Sequence, residues 1–166
     1  TLFCGYGARD AREEVFALAE KIKSPIGHSF RGKMYFEYDN PYDVGMSGLL
    51  GYGACLDAME ESDLFIMVGT DFPYTDWLPE ENVAQIDING THIGRRTKVD
   101  YPVVGDVKSV IENILPHVEE KKDRKFLDKM LKRHYQLLDH VVKSYTSKAV
   151  ESKKPIHPEL AASVLD

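Results

Sequence analysis

One apolar stretch decides the fold: Asp63-Leu64-Phe65-Ile66-Met67-Val68-Gly69. Residues 64–68 of this run are all apolar, so a strand formed here would be apolar on both faces and would bury both. Strands of this kind belong to parallel sheets that carry helices on both sides. The stretch therefore predicts a central strand of an α/β domain.

Shorter apolar runs alternate with helical patterns around this strand. Helices are expected over 8–23, where apolar residues recur every three to four positions, and over 106–115, where Asp106 is placed to cap the first turn. The clearest of the other expected strands are 2–4, 25–28, 83–89 and 99–105. Because parallel strands are joined by right-handed helical crossovers, the order predicts a doubly wound, mostly parallel, Rossmann-like sheet, to which we assign six strands.

Two further segments carry weaker patterns. The polar, glycine- and tyrosine-rich stretch 29–47 is expected to be irregular, and the small residues of 48–59 favour a helix. The charged stretch from Glu119 to about Lys148 has apolar residues at helical spacing and predicts one long linker helix.

Charge is distributed unevenly along the chain. The 166 residues carry a net charge of -6, but residues 1–116 hold 10 basic and 19 acidic side chains, whereas 117–154 hold 11 and 6. We interpret this shift as a domain boundary. An acidic chain argues against nucleic-acid binding, and two widely separated cysteines indicate neither a disulfide framework nor a zinc site.

The boundary predicts three parts: a domain over 1–118, a linker helix and connector over 119–154, and the truncated start of a further domain over 155–166. The chain begins without Met, inside an expected strand, and ends in an expected helix. We therefore expect it to be a fragment of a longer protein, with no membrane-spanning segment of its own.

Open parallel sheets bind ligands beyond the carboxyl ends of their strands. Gly5-Tyr6-Gly7 follows the first strand and is compatible with close approach to a phosphate or with a simple tight turn. The end of the second strand, Gly27-His28-Ser29, lacks the carboxylate of a standard nicotinamide site. Asp87, by contrast, ends a later strand, where it can bind the hydroxyls of a ribose or cap a loop.

Cations suggest where a diphosphate would lie. Arg31, beside Gly32, is a candidate because a guanidinium matches a phosphate bidentately. Arg95 and Arg96 form a second candidate pair, with a solvated surface as the alternative. The histidines His28, His92 and His157 show no catalytic partner at a recognisable spacing, and neither a catalytic triad nor a metal site is expected.

Several long strings together resemble the central domain of the pyruvate oxidases, in the branch that includes pyruvate:quinone oxidoreductase. The strings are Phe30-Arg31-Gly32-Lys33, Glu37-Tyr38-Asp39-Asn40-Pro41-Tyr42-Asp43-Val44-Gly45-Met46, Val68-Gly69-Thr70-Asp71-Phe72-Pro73-Tyr74, Gln85-Ile86-Asp87-Ile88-Asn89 and Asp123-Arg124-Lys125-Phe126-Leu127-Asp128-Lys129. The resemblance extends over almost the whole chain.

The resemblance implies a cytoplasmic homotetramer whose subunits have three domains, of which this is the FAD-binding one. Thiamine diphosphate and Mg would lie in the flanking domains, so no residue here is expected to be catalytic. Pyruvate would be oxidatively decarboxylated to acetate or acetyl phosphate. Electrons would pass from thiamine-bound hydroxyethyl to FAD and then to oxygen or quinone, the latter through membrane contacts made by other segments.

The resemblance also implies a set of FAD contacts. They fall on Met46, Ser47, Gly48, Leu49, Gly69, Thr70, Asp71, Phe72, Pro73 and Asp87, with Gly5, Gly7 and Arg31 along the diphosphate and flavin path. Asp71 is expected to add a negative charge beside the flavin, and Tyr6 to stand where small residues are usual. Both would weaken FAD retention.

Two other functions are compatible with the same fold. The domain would be acetolactate-synthase-like, with FAD held for structure and without a redox role, or it would be the nucleotide-free structural domain of a thiamine-dependent decarboxylase. In the second case Asp87 and the 69–73 loop would be ordinary turns.

Overall fold

A computed structural model describes residues 1–165 as an α/β domain followed by helices. The elements in chain order are β1 (Leu2–Cys4), α1 (Arg12–Ile22), β2 (Ile26–His28), α2 (Lys33–Phe36), β3 (Asp43–Met46), β4 (Tyr52–Gly53), α3 (Cys55–Glu60), β5 (Phe65–Val68), β6 (Val83–Asp87), β7 (Tyr101–Val104), α4 (Val107–Ile114), α5 (Lys125–Tyr145), α6 (Lys148–Glu151) and α7 (Pro158–Leu165).

The strands form one sheet in the order β4-β3-β2-β1-β5-β6-β7. All neighbouring pairs are parallel except β3 and β4, which are antiparallel. The doubly wound, mostly parallel α/β fold is confirmed, with seven strands instead of six. The difference lies in 29–59, because β3 and β4 are glycine-rich and lack the apolar alternation that marks a strand.

The central strand buries both faces, as its sequence predicts. Phe65 and Met67 of β5 pack into a core with α3, whereas Val68 packs on the opposite face with α1 and α4. Asp106 caps α4 by accepting a hydrogen bond from the Ser109 amide N–H at 3.0 Å, which is also as predicted.

Helix α5 is shorter than the expected 119–148 segment and is not a free connector. Its first half packs on β3, β4 and α3, where it buries Leu127, Met130 and His134. This helix covers the β4 edge of the sheet, whereas the residues of the opposite edge strand β7 are exposed. Within residues 1–165, every helix falls short, in length or in apolar character, of what a bilayer crossing needs.

Candidate functional site

A cavity of about 890 Å³ lies beyond the carboxyl ends of β1, β2, β3, β5 and β6, and we call it the strand-end cavity. It is lined by twelve of the thirteen residues named above as FAD contacts: Gly7, Arg31, Met46, Ser47, Gly48, Leu49, Gly69, Thr70, Asp71, Phe72, Pro73 and Asp87. Seven more were not in that set: Tyr6, Ser29, Phe30, Leu50, Tyr74, Ile88 and His92. Most of these are sequence neighbours of predicted residues, so proximity along the chain is the signal that could have found them.

Gly5 is absent from the cavity wall, and its role is to let two loops touch. A Cβ on Gly5 would lie 2.5 Å from Cβ of Thr70, and one on Gly7 would lie 2.8 Å from the carbonyl oxygen of Gly69. The Gly7 amide donates to the same oxygen at 2.9 Å, and Gly69 has a φ of +59°. The glycines therefore pack the turn after β1 against the loop after β5, as the tight-turn alternative implies.

The end of β3 forms another wall. Gly48 has a φ of +122°, and a Cβ there would lie 3.3 Å from the ring of Tyr74. The Ser47 amide donates to the carbonyl oxygen of His28 at 3.3 Å, which attaches this wall to β2. Leu49 and Leu50, which follow, are largely exposed and form the rim of the strand-end cavity.

Asp87 ends β6 with its carboxylate at the cavity wall, although the residue is only 6% exposed. Oδ1 accepts a hydrogen bond from the Asn89 amide at 2.8 Å, and Oδ2 lies 3.3 Å from Nδ1 of His92. Asp87 thus caps its own loop, as one alternative predicts, and its binding of ribose hydroxyls stays a prediction. The carboxylate is held in place by its own loop and still has lone pairs free to accept hydrogen bonds.

Arg31 lies on the turn after β2, with its guanidinium 4.6 Å from the ring centroid of Tyr6. Tyr6 therefore supports this cation, and the weaker FAD retention expected from a large residue at that position stays a prediction. Among residues 1–165, Arg31 has no carboxylate partner within 4 Å. Strands β1 and β5 lie between β2 and β6, so Arg31 and Asp87 follow strands about 14 Å apart. A ligand that touches both must be elongated.

Asp71 does not stand as an isolated negative charge, because Arg95 and Arg96 both pair with it. Both arginines remain partly exposed, at 44% and 32%, so the solvated-surface alternative is compatible with this pairing. The negative charge expected at Asp71 is present but compensated by the two guanidinium groups. Asp71 lies on the loop after β5 and the arginines on the loop after β6. Arg95 is 24 residues and Arg96 is 25 residues from Asp71 in sequence. Nothing in the local sequence links them.

A second polar cluster lies next to the site, between β2, β3 and α5. Nε2 of His28 and Nε2 of His134 each lie 3.6 Å from a different oxygen of Asp43. Burial raises the pKa of Asp43 to about 7 and lowers the pKa of His28 to about 4; it also lowers the pKa of His134. Each of His28, His92 and His157 lies near a carboxylate, a set of contacts that their spacing in the sequence does not reveal.

Comparison with known proteins identifies the domain type. A family model described as "Thiamine pyrophosphate enzyme, central domain" matches residues 1–114. An uncharacterized 42.6 kDa protein in the isoamylase 3' region of Pseudomonas amyloderamosa is 45% identical over 137 residues, which is 82% of this chain and 34% of that protein.

Two further relatives carry functional names. A putative thiamine pyrophosphate-containing protein of Bacillus subtilis is 31% identical over 95% of this chain and 27% of its own length. A probable acetolactate synthase large subunit of Methanocaldococcus jannaschii is 34% identical over 76% of this chain and 22% of its own. The chain thus spans about a third or less of the length of these relatives.

Proposed function

The chain belongs to the thiamine pyrophosphate enzymes, whose central domain it contains, and from this premise we propose that it binds FAD as part of an acetolactate-synthase-like enzyme. The observation that carries the proposal is the strand-end cavity, with Asp87 and Arg31 following strands that lie three positions apart in the sheet. The names of several relatives support the synthase type. Thiamine pyrophosphate is the same compound as thiamine diphosphate.

The residues present fit an elongated dinucleotide. Asp87 would accept the hydroxyls of the adenosine ribose, and Arg31 would pair with the diphosphate. The backbone of 46–49 and 69–73 would provide the walls, where Gly48 and Gly69 adopt positive φ. At 890 Å³, the cavity is within the range of ligand pockets, roughly 300–1,000 Å³.

The protein's own work in this proposal is binding and orientation. When bound, FAD supplies a two-electron acceptor. Oxidases use this acceptor, whereas synthases of this family hold FAD without a redox role. Asp87 and Arg31 would fix the nucleotide along the strand ends, and Phe30, Leu49 and Leu50 would exclude water from its exposed side. We assign thiamine diphosphate and Mg to flanking domains, together with the catalytic residues.

The whole-protein features are proposals of the same kind. We propose that 1–118 is the FAD domain, that 119–154 connects it to the next domain, and that the full-length protein is a cytoplasmic homotetramer. Asp166 lies outside the described residues, and the rest of the expected third part contains α7.

Pyruvate oxidase remains the second candidate. It rests on the strings Phe30-Arg31-Gly32-Lys33 and Tyr38-Asp39-Asn40-Pro41-Tyr42, and it gains interest because Phe30 and Arg31 line the cavity. In this alternative FAD takes up electrons from pyruvate and passes them to quinone or oxygen, with acetate or acetyl phosphate as the product.

Flavin absorbance in the full-length protein tests these alternatives. The purified protein is freed of unbound flavin, supplied with thiamine diphosphate and Mg, and mixed with pyruvate without oxygen. We expect a flavin band that persists while acetolactate forms. A band that bleaches would favour the oxidase, and a protein that neither contains nor takes up FAD would contradict both.

A further inference from the structure

The loop after β5 carries a carboxylate into the wall of the strand-end cavity. Asp71 is partly buried there, and both of its oxygens are occupied. Arg96 donates from Nε to Oδ1 at 3.0 Å and from a terminal nitrogen to Oδ2 at 3.3 Å. Arg95 donates from Nε to Oδ1 at 3.2 Å and makes a second contact to Oδ2. Two guanidinium groups thus bind one carboxylate through both of its oxygens, and charge-assisted pairs of this bidentate kind are geometrically specific.

The arginines are placed by a buried residue of the sheet. Gln85 of β6 is 1% exposed, and its amide group accepts from the Gly94 amide N–H at 3.0 Å and donates to the His92 carbonyl at 3.2 Å. Gly94, with a φ of +72°, then turns the chain towards Asp71. The pair is therefore held by the same strand that ends in Asp87, which fixes its place relative to the cavity.

Charge gives this arrangement a consequence for ligand binding. The ionised side chains that line the cavity are two carboxylates, Asp71 and Asp87, and one guanidinium, Arg31. Alone they would leave one negative charge in excess. Arg95 and Arg96, which pair with the wall residue Asp71, reverse this to one positive charge in excess. A dinucleotide diphosphate carries two negative charges, so a positive excess favours its binding and a negative excess opposes it.

We propose that Arg95 and Arg96 are positioning residues of the nucleotide site, which neutralise Asp71 and make the strand-end cavity attractive to the diphosphate of a dinucleotide. The inference rests on the proposed FAD binding and deepens it. It assigns a role to two residues that do not line the cavity, and it explains how Asp71 can stand beside an anionic ligand.

The test measures FAD affinity in three forms of the full-length protein, by quenching of flavin fluorescence. The forms are the parent, Arg95→Ala/Arg96→Ala, and the same variant with Asp71→Asn added. We expect the double variant to bind FAD about tenfold more weakly, because a partly buried carboxylate then faces the ligand unpaired. Adding Asp71→Asn should return the affinity to within about threefold of the parent, since the charge is gone.

Salt provides a readout that a merely structural role would not change. The loss in the double variant should shrink between about 0.05 and 0.5 M salt, because ions screen the repulsion. Arg133→Ala is the matched control: Arg133 pairs with Asp57 on α3, away from the cavity, and its loss should leave FAD affinity unchanged.

The outcomes separate the two levels of the argument. A parent that binds no FAD overturns the proposed function and this inference with it. If the parent binds FAD and the double variant keeps parental affinity, this inference alone is overturned. The same holds if the triple variant is as weak as the double, because the arginines would then act only by holding the loop.

Discussion

The strand-end cavity and the junction beneath α5 adjoin each other on the sheet but are built on opposite principles. The cavity is open and charged, with Asp71, Asp87 and Arg31 in its wall. In the junction, by which we mean Asp43, Gly45, Gly53, His28 and His134, both histidines are buried and the Asp43 side chain is 12% exposed. The pKa shifts of Asp43 and the histidines favour the uncharged forms. Burial penalises charge in the junction. At the cavity wall, hydrogen bonds and ion pairs to Asp71 and Asp87 offset that penalty.

This difference separates stability from binding. The junction closes the edge of the sheet by packing the His134 ring against two glycines, so changes there should affect the free energy of unfolding. In the cavity wall, Arg31 lacks a carboxylate partner among residues 1–165 and Asp87 keeps free lone pairs, so changes there should affect ligand affinity. If a stability effect expected in the junction or an affinity effect expected in the cavity is absent, the two regions do not differ in this way.

The largest effect is expected from Gly53→Ala. A Cβ at Gly53 would lie 2.7 Å from Cε1 of His134 and overlap the ring, and the φ of +74° adds backbone strain. We expect a loss of about 3 kcal/mol in the free energy of unfolding, from overpacking and strain together. Denaturant unfolding followed by circular dichroism measures it.

Gly94→Ala is the matched control for this variant. Its φ of +72° is nearly the same, but nothing lies within 4 Å of the added Cβ. It should therefore cost only the strain, about 1 kcal/mol. Equal losses in the two variants would mean that the close approach of the His134 ring to Gly53 adds nothing to the cost of the substitution.

A smaller effect, visible in its pH dependence, is expected from Asp43→Asn. With a pKa raised to about 7 by burial, Asp43 stabilises the fold at low pH, and this stabilisation is lost as the pH rises through 7. His28 has the opposite slope: with a pKa lowered to about 4, its contribution is present above pH 6.5 and lost as the pH falls towards 4. In the parent the two partly offset each other.

The Asn variant keeps the acceptor for the Gly45 amide, which bonds Oδ1 at 3.1 Å, but removes the titration. Between pH 7.5 and 5 it should lose about 2 kcal/mol of stability relative to the parent. Unfolding titrations at both pH values measure this. A constant difference between variant and parent across that range would show that Asp43 does not titrate there.

The two regions also differ in how far the sequence predicted them. Asp87 and the 69–73 loop could be located because parallel strands expose their carboxyl ends at one edge, so the end of each apolar run marks a candidate position. The central strand and the Asp106 cap were predictable for the same local reasons. The wall from Met46 to Leu49 has no such pattern, and only the family resemblance indicated it.

The junction was missed because its residues are distant in sequence and the segments around them carry no strand or site pattern. His134 meets Gly45 and Gly53 across some 80 residues, and a glycine-rich β3–β4 pair reads as a loop. The pairing of Asp71 with Arg95 and Arg96 was missed for the same reason, since the local sequence does not show whether an arginine has a carboxylate partner. Contacts of this kind depend on the completed sheet.

The most direct test of FAD binding is the affinity of Asp87→Ala for FAD, measured in the full-length protein beside the parent. Asp106→Ala is its control. Asp106 also follows a strand and accepts a hydrogen bond from a nearby backbone amide, at the start of α4, but it lies outside the cavity wall. We predict about tenfold weaker FAD binding for Asp87→Ala, unchanged thiamine diphosphate binding, and parental FAD affinity for Asp106→Ala. Parental FAD affinity in Asp87→Ala would contradict the assignment of the strand-end cavity as the nucleotide site.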